Sequence, residues 1–113
     1  MKTVHGDVLA RAREGRYDIV VHGCNCVCVM GAGFAKQVRD QFPEAYEADL
    51  AGHSGFANAE AKLGWFTYAR VYGPAPFVIA NAYTQTYPGR GSLSYDGIRW
   101  AFRRLRALGY ENA

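Results

Sequence analysis

The sequence predicts one α/β domain, residues 1–113, in which helices flank a mixed β-sheet. Its 113 residues are enough for one domain and too few for two. Half of the residues are hydrophobic and a fifth are charged, as in ordinary globular domains. The predicted elements follow the order strand, strand, helix, helix, strand, strand, helix, which is typical of a sheet covered by helices.

The predicted strands are short apolar runs rich in β-branched and aromatic residues. Residues 3–7 form a first strand that ends at a turn, and residues 17–22, YDIVVH, read as a buried strand. Two further strands cover residues 63–72 and 77–84. The turn GPAP, at residues 73–76, separates them and is wider than a two-residue hairpin.

The predicted helices are marked by apolar spacing and by residues typical of helix ends. Residues 8–13 form a single turn, and residues 33–42 form a helix in which Phe34, Val38 and Phe42 recur every four positions and face inward. Pro43 suits the first turn of a further helix over 43–51.

The last helix covers residues 94–108. Ser94 is placed to cap it, and its inward residues are Ile98, Ala101, Phe102 and Leu105. The opposite stripe of Arg99, Arg103 and Arg106 reads as a solvated face. Trp100 lies beside the inward residues, so we do not predict it to be an exposed stacking platform.

The composition limits the partners and the compartment. A net charge of +3 fits an anionic small molecule, and nucleic acid is not expected. Three cysteines crowded into one segment do not form a secreted disulfide framework, so we expect a reducing cytoplasm. No segment approaches the ~18 apolar residues that a membrane helix needs.

The segment HGCNCVCVMGAGFAK, residues 22–36, is the most unusual stretch of the chain. His22, Cys24, Cys26 and Cys28 alternate, and on one strand they would spread over about 20 Å. Zinc needs ligands that converge, so we expect no metal and interpret the cysteines as small apolar packing residues. CxC is also not the redox motif CxxC.

The glycines that follow favour an anion site. Residues 30–35, MGAGFA, lie between a predicted buried strand and a helix. Glycine lets backbone approach a ligand, and free N–H groups at a helix start attract a diphosphate. The stretch matches neither GxGxxG, because Lys36 occupies the last glycine position, nor a Walker loop.

Taken together, the motifs resemble those of macrodomains, the ADP-ribose-binding modules. Gly6-Asp7-Val8 resembles the motif at the end of the family's first strand, and residues 19–25 resemble the next strand with its asparagine. Residues 30–35 resemble the first diphosphate loop. Residues 81–85, NAYTQ, resemble the later ligand loop.

The resemblance implies roles for individual residues. Asp7, with Val8, would recognise the adenine, and Asn25 would meet the distal ribose. From the residues alone, Asp7 could equally be a turn residue and Asn25 an Asx turn. The remaining implied ligand-binding residues are Met30, Gly31, Ala32, Gly33, Phe34, Ala35, Asn81, Thr84 and Gln85.

The segments HGCNC and NxYTQ resemble the phage and yeast branch that is linked to ADP-ribose 1''-phosphate phosphatase activity, and also the terminal ADP-ribose glycohydrolase-type branch. The resemblance implies a hydrolase without cofactor, acting on ADP-ribose or an ADP-ribosylated molecule. The catalytic candidates are Asn25, His22 and Gln85, although a histidine here can also be packed at a strand end. The alternative is a non-catalytic ADP-ribose reader.

The sequence departs from the family pattern after the last helix. A further strand and a second phosphate loop are expected there, so we expect the chain to be incomplete at its C-terminus. We expect the resulting unpaired sheet edge to allow self-association. The catalytic acid of the glycohydrolase-type branch lies in that loop, and its catalytic lysine aligns with Gln85, so we do not expect its lysine mechanism here.

Overall fold

The computed structural model describes residues 8–31, 33–87 and 94–108. The strand predicted at residues 3–7, the ligand residues Asp7 and Ala32, and most of the glycine-rich segment QTYPGRGSL, residues 85–93, lie outside these ranges. The described elements are, in order, α1 Val8–Arg13, β1 Ile19–Asn25, α2 Gly33–Gln41, α3 Pro43–His53, a short 3-10 helix Glu60–Lys62, β2 Phe66–Val71, β3 Phe77–Gln85 and α4 Tyr95–Ala107.

The described strands form a mixed sheet with the order β1-β3-β2. β1 pairs with β3 in parallel, and β2 pairs with β3 antiparallel. The sheet has helices packed against it, and this confirms the predicted α/β class. Among the described residues, no helix is long and apolar enough to cross a membrane.

Several element boundaries differ from the prediction, two of them for a clear reason. β1 continues to Asn25, beyond the predicted end at residue 22, because its backbone stays paired with β3 as far as Gln85. β2 begins at Phe66 and not at residue 63, because Gly64 has a φ of +81° and turns the chain. α3 extends two residues past the predicted end, to His53.

The core has two hydrophobic clusters. The first packs α1, α2 and α3 against the sheet, with Leu9, Val38 and Phe42 among its buried members. The second consists of the buried side chains of Cys24, Cys26, Met30 and Tyr83. The prediction that Phe34 faces the core is wrong, because the residue is 37% exposed and its ring packs edge-to-face against that of His22.

Helix α4 begins as predicted. The Ser94 hydroxyl accepts a hydrogen bond from the Gly97 N–H at 2.9 Å, and the helix buries Ala101 and Leu105. The prediction for Trp100 is wrong. The residue is 42% exposed, and its side chain lies against Gly64.

Candidate functional site

The loop that follows β1 is organised by the side chain of Asn25. Its Oδ1 accepts hydrogen bonds from the N–H groups of Val27, at 3.0 Å, and of Val29, at 3.3 Å. Its Nδ2 donates to the carbonyl of Val29 at 2.7 Å. Asn25 therefore forms an Asx-type turn, which was one of the two readings of the sequence, and this fixes the path of the loop.

The glycines beyond this turn leave an open approach to the start of α2. Gly31 is exposed, and a Cβ built on it would meet only Val29, at 3.9 Å. Gly33, the first residue of α2, has a φ of +60° and open space where a Cβ would lie. The first N–H groups of a helix have no intrahelical acceptor, so this end of α2 can receive an anion.

The other residues of this segment flank the opening. Met30 is buried in the second core cluster, and Ala35 packs against that cluster. Phe34 lies between solvent and the His22 ring, with ring centroids 6.0 Å apart. Val8 packs against the first core cluster, which also contains Val38 of α2.

His22 and Asn81 face each other inside the core. Asn81 Nδ2 donates to the Ala45 carbonyl at 2.9 Å and to Thr67 Oγ1 at 3.1 Å. The amide oxygen of Asn81 is therefore the atom 2.7 Å from His22 Nε2, and that nitrogen must carry the proton. Burial lowers the pKa of His22, so the ring is neutral at pH 7.

The same chain of hydrogen bonds continues from Thr67 to a buried ion pair. Thr67 Oγ1 lies 2.7 Å from the Tyr83 hydroxyl, and Tyr83 donates to Asp49 Oδ1. Lys62 Nζ lies 3.5 Å from the same carboxylate oxygen. Thr67 must donate to Tyr83, because the Tyr83 proton is used on Asp49. The protons of this network thus all point towards the Asp49 carboxylate.

Sequence reasoning missed Asp49, Lys62 and Thr67. Lys62 and Asp49 are 0% and 1% exposed. Cys28, in the loop that Asn25 organises, contacts both residues of this pair. Its Sγ lies 3.7 Å from Lys62 Nζ and 3.7 Å from the Asp49 carbonyl oxygen. Aspartate, lysine and threonine are usually exposed, and no local sequence pattern marks Asp49, Lys62 or Thr67 as buried.

The cysteine thiols are protonated at neutral pH. Cys24 and Cys26 are buried in the second core cluster, which confirms the packing role predicted for them. Burial raises the pKa of Cys26 to about 11 and also raises the pKa of Cys24 and Cys28, so all three are protonated at pH 7. Within the described ranges, no group of three His, Cys, Asp or Glu side chains is arranged to hold a metal ion.

The structure brings part of the implied site together. Asn25 is paired with Gln85, so the loop of residues 25–31 and the end of β3 lie at the same edge of the sheet. Thr84 is largely buried, and its hydroxyl lies against Gly23. Asn81 and His22 are paired further inside the sheet, and their side chains are hydrogen-bonded to each other. No buried side-chain nitrogen or oxygen lacks a hydrogen-bond partner in the described part of the chain.

The fold is that of solved macrodomains. The TM-score is 0.72 with the macrodomain of Mycobacterium tuberculosis DarG, at 24% identity over 93% of this chain and 67% of that one. It is 0.66 with a macrodomain protein from Streptomyces coelicolor, at 27% identity over 82% and 60%. It is 0.67 with Thermosipho africanus DarTG in complex with ADP-ribose, at 18% identity over 83% and 26%.

The sequence is also similar to that of a bacteriophage protein. It is 36% identical over 111 residues to an uncharacterised 17.5 kDa protein from the tk-vs intergenic region of enterobacteria phage T4, covering 96% of this chain and 68% of that protein. No protein-family model matches the sequence. With this fold and these motifs, the chain belongs to the macrodomain family. It spans about two thirds of the length of the phage T4 protein and of the DarG macrodomain.

Proposed function

We propose that this chain binds ADP-ribose, free or attached to another molecule, at the loop that follows β1. The observation that carries the proposal is Gly33, which begins α2 with a φ of +60° and open space in front of it. The macrodomain fold supports it, since a structure of the same fold, Thermosipho africanus DarTG, is in complex with ADP-ribose.

In this proposal the diphosphate lies against the backbone of residues 31–35. Gly31 and Gly33 allow the close approach, and the N–H groups at the start of α2 donate to the phosphate oxygens. Lys36, one turn further, is 2.9 Å from Asp40, so its charge is partly neutralised. Backbone donors then carry most of the phosphate binding.

The two ends of the ligand are assigned by the family resemblance. Asn25 and Gln85 would contact the distal ribose, at the edge where β1 and β3 end together. Asp7 and Val8 would contact the adenine. Asn25 has one amide hydrogen left after its turn is formed, because its oxygen already accepts from Val27 and Val29, so it can donate to a ribose hydroxyl without losing that turn.

We further propose that the chain hydrolyses ADP-ribose 1''-phosphate or a terminal ADP-ribosyl linkage. Asn25 and Gln85 would position the scissile group and a water molecule. His22 is neutral at pH 7, and its ring packs edge-to-face against Phe34, so acid–base catalysis by His22 would require the ring to become accessible to the substrate.

A non-catalytic reader is the second candidate, and one observation favours it. His22 is 5% exposed, and its ring nitrogens lie near Asn81 and the Cys24 thiol. A general base must reach the proton that it removes, and this ring is enclosed. A reader would bind ADP-ribose and leave it intact.

Binding is tested by calorimetric titration with ADP-ribose, with AMP and ATP as controls. Gly33→Leu fills the open space at α2 and should weaken ADP-ribose binding at least about tenfold, or ~1.4 kcal/mol. Gly73→Leu is the matched control, because Gly73 also has a positive φ and open space, in the β2–β3 turn. Equal effects of the two substitutions, or no ADP-ribose binding by the folded protein, would refute the proposal.

Turnover is tested separately by incubating the protein with ADP-ribose 1''-phosphate and measuring phosphate release. Release that is lost in Asn25→Ala and in Gln85→Ala supports the phosphatase. The reader is supported if the protein binds ADP-ribose but releases no phosphate from ADP-ribose 1''-phosphate. It should then also release no ADP-ribose from an ADP-ribosylated substrate.

A further inference from the structure

A concave surface lies between α4 and the turn that precedes β2. Its volume is about 510 Å³, and it is lined by Leu63, Trp65, Trp100, Arg103 and Arg104. We call these five residues the Trp–Arg surface. The residues Trp65 and Trp100 are 46% and 42% exposed, although tryptophan is usually well buried.

This surface is built by specific contacts. Gly64 has a φ of +81°, and a Cβ on it would lie 2.7 Å from the Trp100 ring, so only glycine lets the turn and α4 approach this closely. The Arg104 guanidinium lies 3.8 Å from the centre of the Trp65 ring and donates a hydrogen bond to the Gly64 carbonyl. Both tryptophans are thus held in place while both residues stay partly exposed, and Arg104 covers one face of the Trp65 ring.

The charge of the surface has one sign. Two of its five residues are arginines, and none is acidic. The exposed Arg99 and Arg106 continue the positive charge along α4, and Arg99 Nη1 lies 3.9 Å from Oδ1 of the exposed Asp96. Exposed aromatic rings beside arginines suit a ligand that has both flat rings and negative charge.

We propose that the Trp–Arg surface binds single-stranded nucleic acid, with a base on the exposed indoles and phosphates on Arg103 and Arg104. This goes beyond ADP-ribose binding. The sequence alone did not lead us to expect nucleic acid, because the arginine stripe of α4 reads as a solvated face. In the tertiary structure, however, Trp65 lies beside the exposed Trp100 and two of the α4 arginines on one surface.

A single strand fits better than a duplex or a free nucleotide. Base rings are available for stacking only when they are unpaired. The arginines extend along α4 past the concave surface, so several successive phosphates could be contacted. The surface also lies near the sheet edge at which we propose that ADP-ribose binds. The backbones of Gly64 and Trp65 are hydrogen-bonded to that of Tyr83, near the end of β3.

Tryptophan fluorescence reports on this surface directly, because Trp65 and Trp100 are the only tryptophans of the chain. We expect quenching on titration with an oligothymidylate of about 10 nucleotides. The expected Kd is about 1–100 µM at physiological salt, the usual range for binding without sequence preference. If oligothymidylate concentrations across this Kd range cause no quenching, the proposal is overturned.

Two arginines of α4 provide a matched pair of variants. Arg103 lines the surface and Arg106 does not, and both side chains are exposed, so neither substitution should harm folding. Arg103→Ala should weaken oligothymidylate binding and make the plot of log Kd against log salt less steep by about 0.7. Arg106→Ala should do less. Equal effects would mean general attraction to a basic helix, and would overturn the site.

Stacking is tested with Trp65→Ala, measured by fluorescence anisotropy of a labelled oligothymidylate. We expect affinity to fall by about 5- to 150-fold, as for loss of one stacked base. Quenching by thymidine monophosphate at the same concentrations would indicate a free-nucleotide site and overturn the single strand. ADP-ribose titration of each variant should be unchanged, so this proposal and the ADP-ribose site can fail independently.

Discussion

Lys62 and Asp49 form an ion pair inside the protein, with Nζ 3.5 Å from Oδ1 and side chains 0% and 1% exposed. The Lys62 ammonium also lies 3.2 Å from His53 Nδ1 and 4.3 Å from the centre of the Tyr83 ring. Asp49 accepts the Tyr83 hydroxyl as well. Each charge is therefore surrounded by partners, which offsets the cost of removing it from water.

Lys62→Met should strongly destabilise the fold, because it leaves the Asp49 carboxylate buried without its counter-charge. We expect the free energy of unfolding to fall by about 3–5 kcal/mol, measured by urea denaturation. Lys36→Met is the control, since the Lys36–Asp40 pair is exposed, and it should change stability little. A similar small change in both variants would contradict the buried ion pair.

Adding Asp49→Asn to Lys62→Met should restore part of the lost stability. The double variant contains no unpaired buried charge, and the amide oxygen of the substituted side chain can still accept the Tyr83 hydroxyl. Urea denaturation of both single variants and the double variant gives the coupling energy. Effects that simply add would show that the two charges do not interact.

His22 should make stability fall in mild acid. Burial lowers its pKa below the ordinary 6.5, so at pH values below 6.5 the unfolded chain binds a proton that the folded chain resists. The free energy of unfolding should therefore decrease as the pH falls below 6.5, by up to about 1.4 kcal/mol per pH unit. Urea denaturation from about pH 8 to about pH 5 measures this slope.

The control for His22 is His22→Gln. Its amide can still donate to Asn81, but it does not titrate. The variant should lose the part of the slope that appears just below pH 6.5. If the slopes of the variant and the parent were the same, the acid sensitivity would come from other groups.

Cys28 has a φ of +59°, which is the only positive φ of a residue other than glycine in the described ranges. Cys28→Val should be more destabilising than Cys28→Asn, because a β-branched residue is strained in this conformation and asparagine tolerates it. We expect the two variants to differ by about 1–2 kcal/mol in thermal or urea unfolding. Equal stability would indicate that the loop adopts another backbone conformation.

Gly64→Ala should combine backbone strain with a steric clash. Gly64 has a φ of +81°, and its new Cβ would lie 2.7 Å and 2.9 Å from two Trp100 atoms. We expect a loss of about 2–5 kcal/mol, together with a change in tryptophan fluorescence. Gly73→Ala is the control. It has a positive φ but open space, so only the backbone term applies and the fluorescence should not change.

The sequence by itself determined the order of the described elements, the mixed sheet and the family resemblance. Apolar periodicity and end signals such as Ser94 act between residues near one another in the chain, so they can be read directly. The turn at Asn25 belongs to this group too, because its hydrogen bonds span only four residues. Even so, the sequence left open whether Asn25 binds its own loop or a ligand.

The tertiary structure alone decided which polar residues are buried and which aromatic residues are exposed. Lys62, Asp49 and Thr67 become one network with Asn81 because β2, β3 and α3 pack together. Trp65 and Trp100 share a surface because Gly64 allows close contact with α4. Such contacts join residues far apart in the chain, and their energy depends on partners that no local pattern specifies.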